Sequence, residues 1–95
     1  MKEIIITKIE KNVINGWFQN FTVEKTIFLF NGIEGRFTKT TFDEWVEYEV
    51  CFMTGYAIWN SNSDIRNTCF GNTTADLTDF MSVFKERFGI EIPTV

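Results

Sequence analysis

The chain has 95 residues with a formal net charge of −4, 44% hydrophobic residues and no histidine. Its length predicts a single globular domain over residues 1–95. The apolar and aromatic content excludes an intrinsically disordered chain, and the lack of any apolar run of about 18 residues excludes a transmembrane helix. The early charged residues do not fit a signal peptide, so we expect a cytoplasmic protein that does not contact membranes.

Histidine and the nucleotide-binding motifs, on which many catalytic and metal sites depend, are missing from the sequence. Without histidine, the chain lacks the commonest general base and the commonest transition-metal ligand. It also lacks the glycine-rich motifs that bind nucleotide phosphates. Cys51 and Cys69 are expected to be reduced in the cytoplasm, with a disulfide between them as the alternative. We therefore predict no enzymatic activity, no cofactor and no metal site.

The first forty residues predict an antiparallel meander. The dipeptides Asn15-Gly16 and Asn31-Gly32 each separate two β-prone runs, and Asn-Gly supplies both positive φ angles of a type I′ hairpin turn. The predicted strands lie within Glu3–Ile14, within Trp17–Phe30 and over Ile33–Lys39. A break of the second strand at Glu24-Lys25 would give four strands in place of three.

Pairing outward from the Asn31-Gly32 turn predicts one aromatic sheet face. The predicted pairs on this face are Phe30 with Ile33, Phe28 with Gly35, and Thr26 with Phe37. The missing side chain of Gly35 leaves room for the ring of Phe28. The opposite face is mixed, with Leu29 opposite Glu34 and Ile27 opposite Arg36. The aromatic face needs a cover, which must come from the second half of the chain.

The segment Thr41–Trp59 fits two structures. A Thr-x-x-Glu capping box, from Thr41 to Glu44, predicts the start of a helix, and apolar residues follow at helical spacing. A half-buried strand is the alternative, because apolar and polar residues also alternate over Val46, Glu47, Tyr48, Glu49, Val50, Cys51 and Phe52. The helix is favoured because a capping box specifies a start. Glu49 would lie among apolar side chains in the helix and face outward in the strand.

The last third of the chain predicts a long loop and then a helix. The polar segment Asn60–Thr74 is typical of a loop. The helix is capped by Thr73 or Thr74 and ends at Gly89, with basic residues in its last turn. Its apolar stripe consists of Leu77, Phe80, Met81, Phe84 and Phe88.

These elements predict an α+β fold in which a three- or four-stranded antiparallel β-meander is covered on one face by two helices. A sheet extended by Val46–Met53 and covered by the last helix alone is the alternative. In either case, one shared core is expected for Phe28, Phe30, Phe37, Phe80, Phe84 and Phe88.

The charge is unevenly placed along the chain. Residues 1–40 carry six Lys and Arg against four Asp and Glu, whereas residues 41–95 carry three against nine. An acidic chain is a poor general nucleic-acid binder, because binding of the phosphate backbone needs cations. We therefore expect a protein partner with a basic surface, with a homodimer as a further candidate.

The small size, abundant aromatics and acidic second half favour a non-catalytic protein-binding module. We expect a small acidic inhibitor or accessory protein, of the phage or mobile-element anti-defence or immunity type, that occupies the surface of a partner protein. The loop Asn60–Thr74 is expected to contribute to the contact surface. The predicted contact residues are Asp43, Glu44, Glu47, Tyr48, Asn62, Asp64 and Arg66.

Two alternatives use other residues. An aromatic sheet face could bind single-stranded nucleic acid or a small planar ligand by stacking. Its candidate members are Trp17, Phe18, Phe21 and Phe37, together with Arg36 and Lys39. Paired carboxylates could also act as acid and base, or bind Mg²⁺ or Ca²⁺. These candidates are Asp43, Glu44, Glu47 and Glu49, although acidic residues at a helix start are routine.

Overall fold

The structure is a computed structural model that describes residues 3–52, 56–61, 65–66 and 74–93. Six strands form one antiparallel sheet in the order of the sequence, and one helix follows them in the described part of the chain. The elements are β1 (Ile5–Asn15), β2 (Asn20–Phe30), β3 (Ile33–Thr41), β4 (Val46–Phe52), β5 (Tyr56–Asn60), the two-residue β6 (Ile65–Arg66) and α1 (Thr74–Phe88).

The hairpin between β2 and β3 forms as predicted. Asn31 and Gly32 have φ angles of 54° and 73°, which are the positive values that a type I′ turn requires. The register places Phe28 opposite Gly35, and the other predicted cross-strand pairs also form. A Cβ atom on Gly35 would lie 2.6 Å from Cζ of Phe28, so only glycine leaves space for this buried ring.

The hairpin between β1 and β2 differs from the prediction. Asn15 pairs with Asn20, so residues 16–19 form a four-residue loop in place of a two-residue turn. A Cβ atom on Gly16 would lie 2.3 Å from the carbonyl oxygen of Gln19, so Gly16 serves the close approach of the two sides of this loop. β2 therefore begins after Trp17, and it continues unbroken through Glu24-Lys25.

The described residues of the segment Thr41–Trp59 form the end of β3, β4 and most of β5 in place of a helix, so the helix expected there is wrong. Thr41 ends β3, and β4 places alternate side chains in the core, where Val50 and Phe52 are buried. The Thr-x-x-Glu box leads into the β3–β4 loop over residues 42–45, because short polar residues stabilise turns as well as helix starts. The described residues thus contain one helix in place of two, and a meander longer than three or four strands.

The aromatic sheet face is covered by α1. Phe80 and Phe84 of the helix are fully buried. Phe80 stacks on Phe28 with ring centroids 5.8 Å apart, and Phe84 meets Phe37 edge-on at 5.0 Å. Phe88 is half-buried and packs against the same cluster. The predicted shared core is therefore confirmed.

The helix ends as predicted. Gly89 has a φ of 71°, and its backbone N–H donates to the carbonyl oxygen of Lys85 at 2.8 Å, which closes the last turn. Lys85 and Arg87 lie in this turn, where cations suit the negative end of the helix dipole. The chain then continues to Ile92, which is buried in the core.

Replacement of Gly35 by alanine should destabilise the fold. The new Cβ would lie 2.6 Å from one atom of the Phe28 ring and 3.1 Å from Cδ1 of Phe52, both of which are buried. Such overpacking costs about 1–3 kcal/mol of unfolding free energy, measurable by urea denaturation. In a Phe28→Leu background, the same substitution should cost clearly less. Equal costs in the two backgrounds would contradict the proposed contact.

Candidate functional site

Two loops lie side by side at one end of the sheet. Because successive strands run in opposite directions, the β1–β2 loop (residues 16–19) and the β3–β4 loop (residues 42–45) are at the same end. The backbone N–H of Asp43 donates to Oε1 of Gln19 at 3.2 Å, which joins the two loops directly. The rings of Phe21 and Phe42 meet across the same gap, with centroids 5.1 Å apart.

These loops display a group of aromatic side chains that we call the aromatic tip: Trp17, Phe18, Phe21, Phe42 and Trp45. Trp17 and Phe18 are each 95% exposed, an unusual state for residues of this size. Trp45 is also exposed and stacks on the half-buried Phe42 at 4.5 Å. The almost fully exposed rings of Trp17 and Phe18 thus belong to the same group as the stacked rings of Phe42 and Trp45.

A row of two valines and two threonines runs across the sheet next to the tip. Val13 pairs with Thr22, Thr22 with Thr41, and Thr41 with Val46, so these four residues form one row. The row lies on the face that α1 covers further along, and Val13 and Val46 are exposed. The two exposed valines are separated by the two threonines, which line a polar depression together with Lys11, Glu24 and Lys39.

The charged side chains within the two loops are all negative, and the nearest described cations, Lys11 and Lys39, lie on the sheet beside Thr22 and Thr41. Residues 12–22 contain no charged side chain, and residues 40–48 contain three acids and no Lys or Arg. We call these three acids, Asp43, Glu44 and Glu47, the acidic rim. Asp43 and Glu44 are exposed, and Glu47 accepts a hydrogen bond from Nε1 of Trp45 at 3.2 Å. The structure therefore brings three predicted contact residues next to the exposed aromatics.

The other predicted contact residues do not join the rim in the described part of the chain. The half-buried ring of Tyr48 is stacked between Phe37 and Trp59, each at 5.9 Å. The backbone of Arg66 lies in β6, at the far edge of the sheet from β1. Asn62 and Asp64 lie outside the described residues.

Glu49 has polar partners on the sheet face opposite α1. Its carboxylate accepts a hydrogen bond from Nδ2 of Asn60 at 3.2 Å, and its other oxygen lies 3.9 Å from Nη2 of Arg36. The same Arg36 nitrogen donates to the free thiol of Cys51 at 3.4 Å, while Cys69 lies outside the described residues. Glu49 is thus half-buried among polar side chains and faces away from the core, as the strand alternative predicted.

Two shallow polar depressions lie on the described surface. One of about 130 Å³ is lined by Thr38, Thr40, Glu47, Tyr48, Glu49 and Asn60. Another of about 180 Å³ is lined by Lys11, Thr22, Glu24, Lys39 and Thr41. Both are smaller than the roughly 300 Å³ at which small-molecule pockets begin. Within the described ranges, no three Asp, Glu, Cys or His side chains converge as metal ligands would.

The fold brings only some candidate members of a stacking platform together: Trp17, Phe18 and Phe21 share the tip, whereas Phe37 and Arg36 lie elsewhere. Phe37 is buried beneath α1, whereas Trp17 and Phe18 project from the tip. Arg36 points to the opposite sheet face, as its contact with Glu49 shows. These aromatics therefore do not form one continuous platform with the neighbouring cations.

Trp17 and Phe18 were predicted as members of a stacking platform but not as contacts of a protein partner, because the Asn-Gly signal placed them in β2. The polar pair Gln19-Asn20, which follows them, is the local signal that could have indicated a longer loop.

No protein-family model, curated protein or solved structure matches this chain. Its function is therefore inferred from the geometry of the described residues. Among these residues, no helix has the length and apolar character that crossing a membrane requires.

Trp17→Ala and Phe18→Ala should leave the unfolding free energy within about 0.5 kcal/mol of wild type, because both rings are almost fully exposed. Phe42→Ala is the matched comparison, since its ring is half-buried between Phe21 and Trp45, and it should cost about 1–2 kcal/mol. Urea denaturation measures all three. A loss above about 1 kcal/mol for Trp17→Ala would mean that this ring packs against the fold.

Proposed function

We propose that the protein is a non-catalytic binding module that docks the aromatic tip into an apolar pocket of a partner protein. By occupying that surface, it would act as an inhibitor or accessory protein. The observation that carries this proposal is the 95% exposure of Trp17 and Phe18, adjacent in one short loop. Large aromatic side chains in the centre of an interface commonly supply most of the binding energy.

The braced geometry of the tip supports this role. The Asp43–Gln19 hydrogen bond and the Phe21–Phe42 contact hold the two loops together before any partner binds. Loops that are already ordered lose less conformational entropy on binding than mobile ones. The exposed rings are therefore presented as pre-positioned anchors.

The acidic rim favours a partner whose binding surface carries positive charge. An apolar pocket bordered by Lys and Arg would match the aromatic anchors and the carboxylates of Asp43 and Glu44 together. The same negative charges disfavour contact of the loops with an anionic membrane or with nucleic-acid phosphates, because like charges repel. They also disfavour contact between the tips of two copies, since identical acids would face each other.

Affinity purification from lysate of the source cells tests the proposal. A protein retained by the wild-type chain should be lost with the Trp17→Ala/Phe18→Ala variant, which keeps the fold. After purification of this protein, calorimetry should show binding that is weaker by about 2 kcal/mol or more for the double variant, a factor of about 30.

Charge variants provide the matched control. Asp43→Ala/Glu44→Ala should weaken binding and reduce its dependence on salt, because exposed charges attract a basic surface through a screened interaction. Glu34→Ala/Glu86→Ala changes the same net charge at two exposed positions outside the tip and should leave affinity unchanged. Partner binding that tolerates loss of both aromatic anchors would overturn the site assignment.

Tryptophan fluorescence separates this proposal from binding of single-stranded nucleic acid or a planar ligand. Titration with oligonucleotides at low and high salt should give no salt-sensitive quenching, because the loops of the tip carry only negative charges, which repel phosphates. Quenching by stoichiometric oligonucleotide at low salt would favour the nucleic-acid alternative.

A further inference from the structure

We propose that β1 is the contact strand of a homodimer, in which two copies of β1 pair antiparallel about a two-fold axis at Ile9. β1 is an 11-residue strand at the edge of the sheet, where it pairs with β2 on one side. No described strand pairs with its other side. The backbone N–H and C=O groups on the free side of such a strand can pair with another chain.

Exposed apolar side chains accompany this free backbone. Ile9 is 61% exposed and Val13 is 70% exposed, both on the face that carries α1. Ile5 and Ile14 are exposed on the opposite face. Pairing through β1 would therefore shield apolar area on both faces of an extended sheet. Four of the exposed large apolar residues of the described chain, Ile5, Ile9, Val13 and Ile14, thus lie on β1.

Charge complementarity identifies a second copy as the occupant. Lys8 and Glu10 flank Ile9 on one face, and Lys8 Nζ lies 2.7 Å from Glu10 Oε1. This contact raises the pKa of Lys8 and lowers the pKa of Glu10 by hydrogen bonding and charge attraction. In a dimer centred on Ile9, Lys8 of each copy lies opposite Glu10 of the other, so the two-fold axis creates two opposite-charge pairs.

Neighbouring registers are disfavoured by the same side chains. Centring the pair on Lys8, Glu10 or Lys11 would place identical charges directly opposite each other, which destabilises cross-strand pairing. Lysines and bulges commonly protect sheet edges from unspecific pairing, and β1 has both, with an irregularity between Ile6 and Lys8. Around Ile9, the order of charges favours the register centred on Ile9 over the registers centred on Lys8, Glu10 and Lys11.

The dimer would keep the two aromatic tips apart. Asn15, at the end of β1, is six residues from Ile9, which corresponds to about 20 Å along a strand. The tips would point in opposite directions from the axis, and their acidic rims would not meet. If the proposed function of the tip holds, each dimer carries two docking sites for the partner protein. The pairing of β1 does not depend on that function.

Sedimentation equilibrium of the full chain tests this proposal between about 10 and about 1,000 µM. The wild-type protein should show a reversible monomer–dimer equilibrium. Lys8→Glu and Glu10→Lys should each weaken the dimer at least about tenfold, because each replaces two opposite-charge pairs by two like-charge pairs. The double variant Lys8→Glu/Glu10→Lys restores both pairs with reversed sign and should dimerise within about threefold of wild type.

Two controls distinguish pairing through β1 from dimerisation through another surface of the protein. Arg87→Glu makes the same charge change at an exposed helix position and should leave dimerisation unchanged. Trp17→Ala/Phe18→Ala should also dimerise normally, so failure of the tip proposal and failure of this one are distinguishable. A monomer at every concentration, a dimer lost only in the tip variant, or no rescue by the charge swap would each overturn the proposal.

Discussion

The ring of Phe28 occupies the space above Gly35, and the rest of the core is arranged around it. Only the missing side chain of Gly35 allows this approach, since a Cβ would lie within 2.6 Å of the ring. Phe80 of α1 stacks on Phe28, and Phe52 of β4 meets both rings edge-on. This one close contact therefore connects the β2–β3 hairpin, the extended sheet and the helix that covers it.

The aromatic residues serve two different purposes as a consequence. Those under α1 supply the apolar area that a small domain needs for stability, because aromatic rings bury the most surface per residue. α1 does not extend over the tip, where Trp17 and Phe18 remain accessible beside the acidic rim. The open aromatic surface is thus a loop surface at the sheet end, braced by Gln19 and by Phe42.

The parts of the fold that the sequence predicted are those set by short-range geometry. Asn31-Gly32 determines a turn and hence the register of Phe28 with Gly35, and the stripe of α1 follows from helical spacing. The central segment could not be predicted in the same way, because Thr41 and Glu44 suit a turn as well as a helix start. Burial of Val50 and Phe52 against α1 decides for a strand, and this long-range contact is not visible locally. The exposure of Trp17 could not be predicted either, because it depends on the length of the β1–β2 loop.

Collisional quenching of single tryptophans tests most directly whether the aromatic residues divide between a covered face and an open tip. One variant keeps only Trp17, through Trp45→Phe/Trp59→Phe, and the other keeps only Trp59, through Trp17→Phe/Trp45→Phe. Acrylamide should quench Trp17, which is 95% exposed, nearly as efficiently as a free indole, and it should barely reach Trp59, which is 5% exposed. Similar protection of the two tryptophans would contradict this division of the aromatic residues.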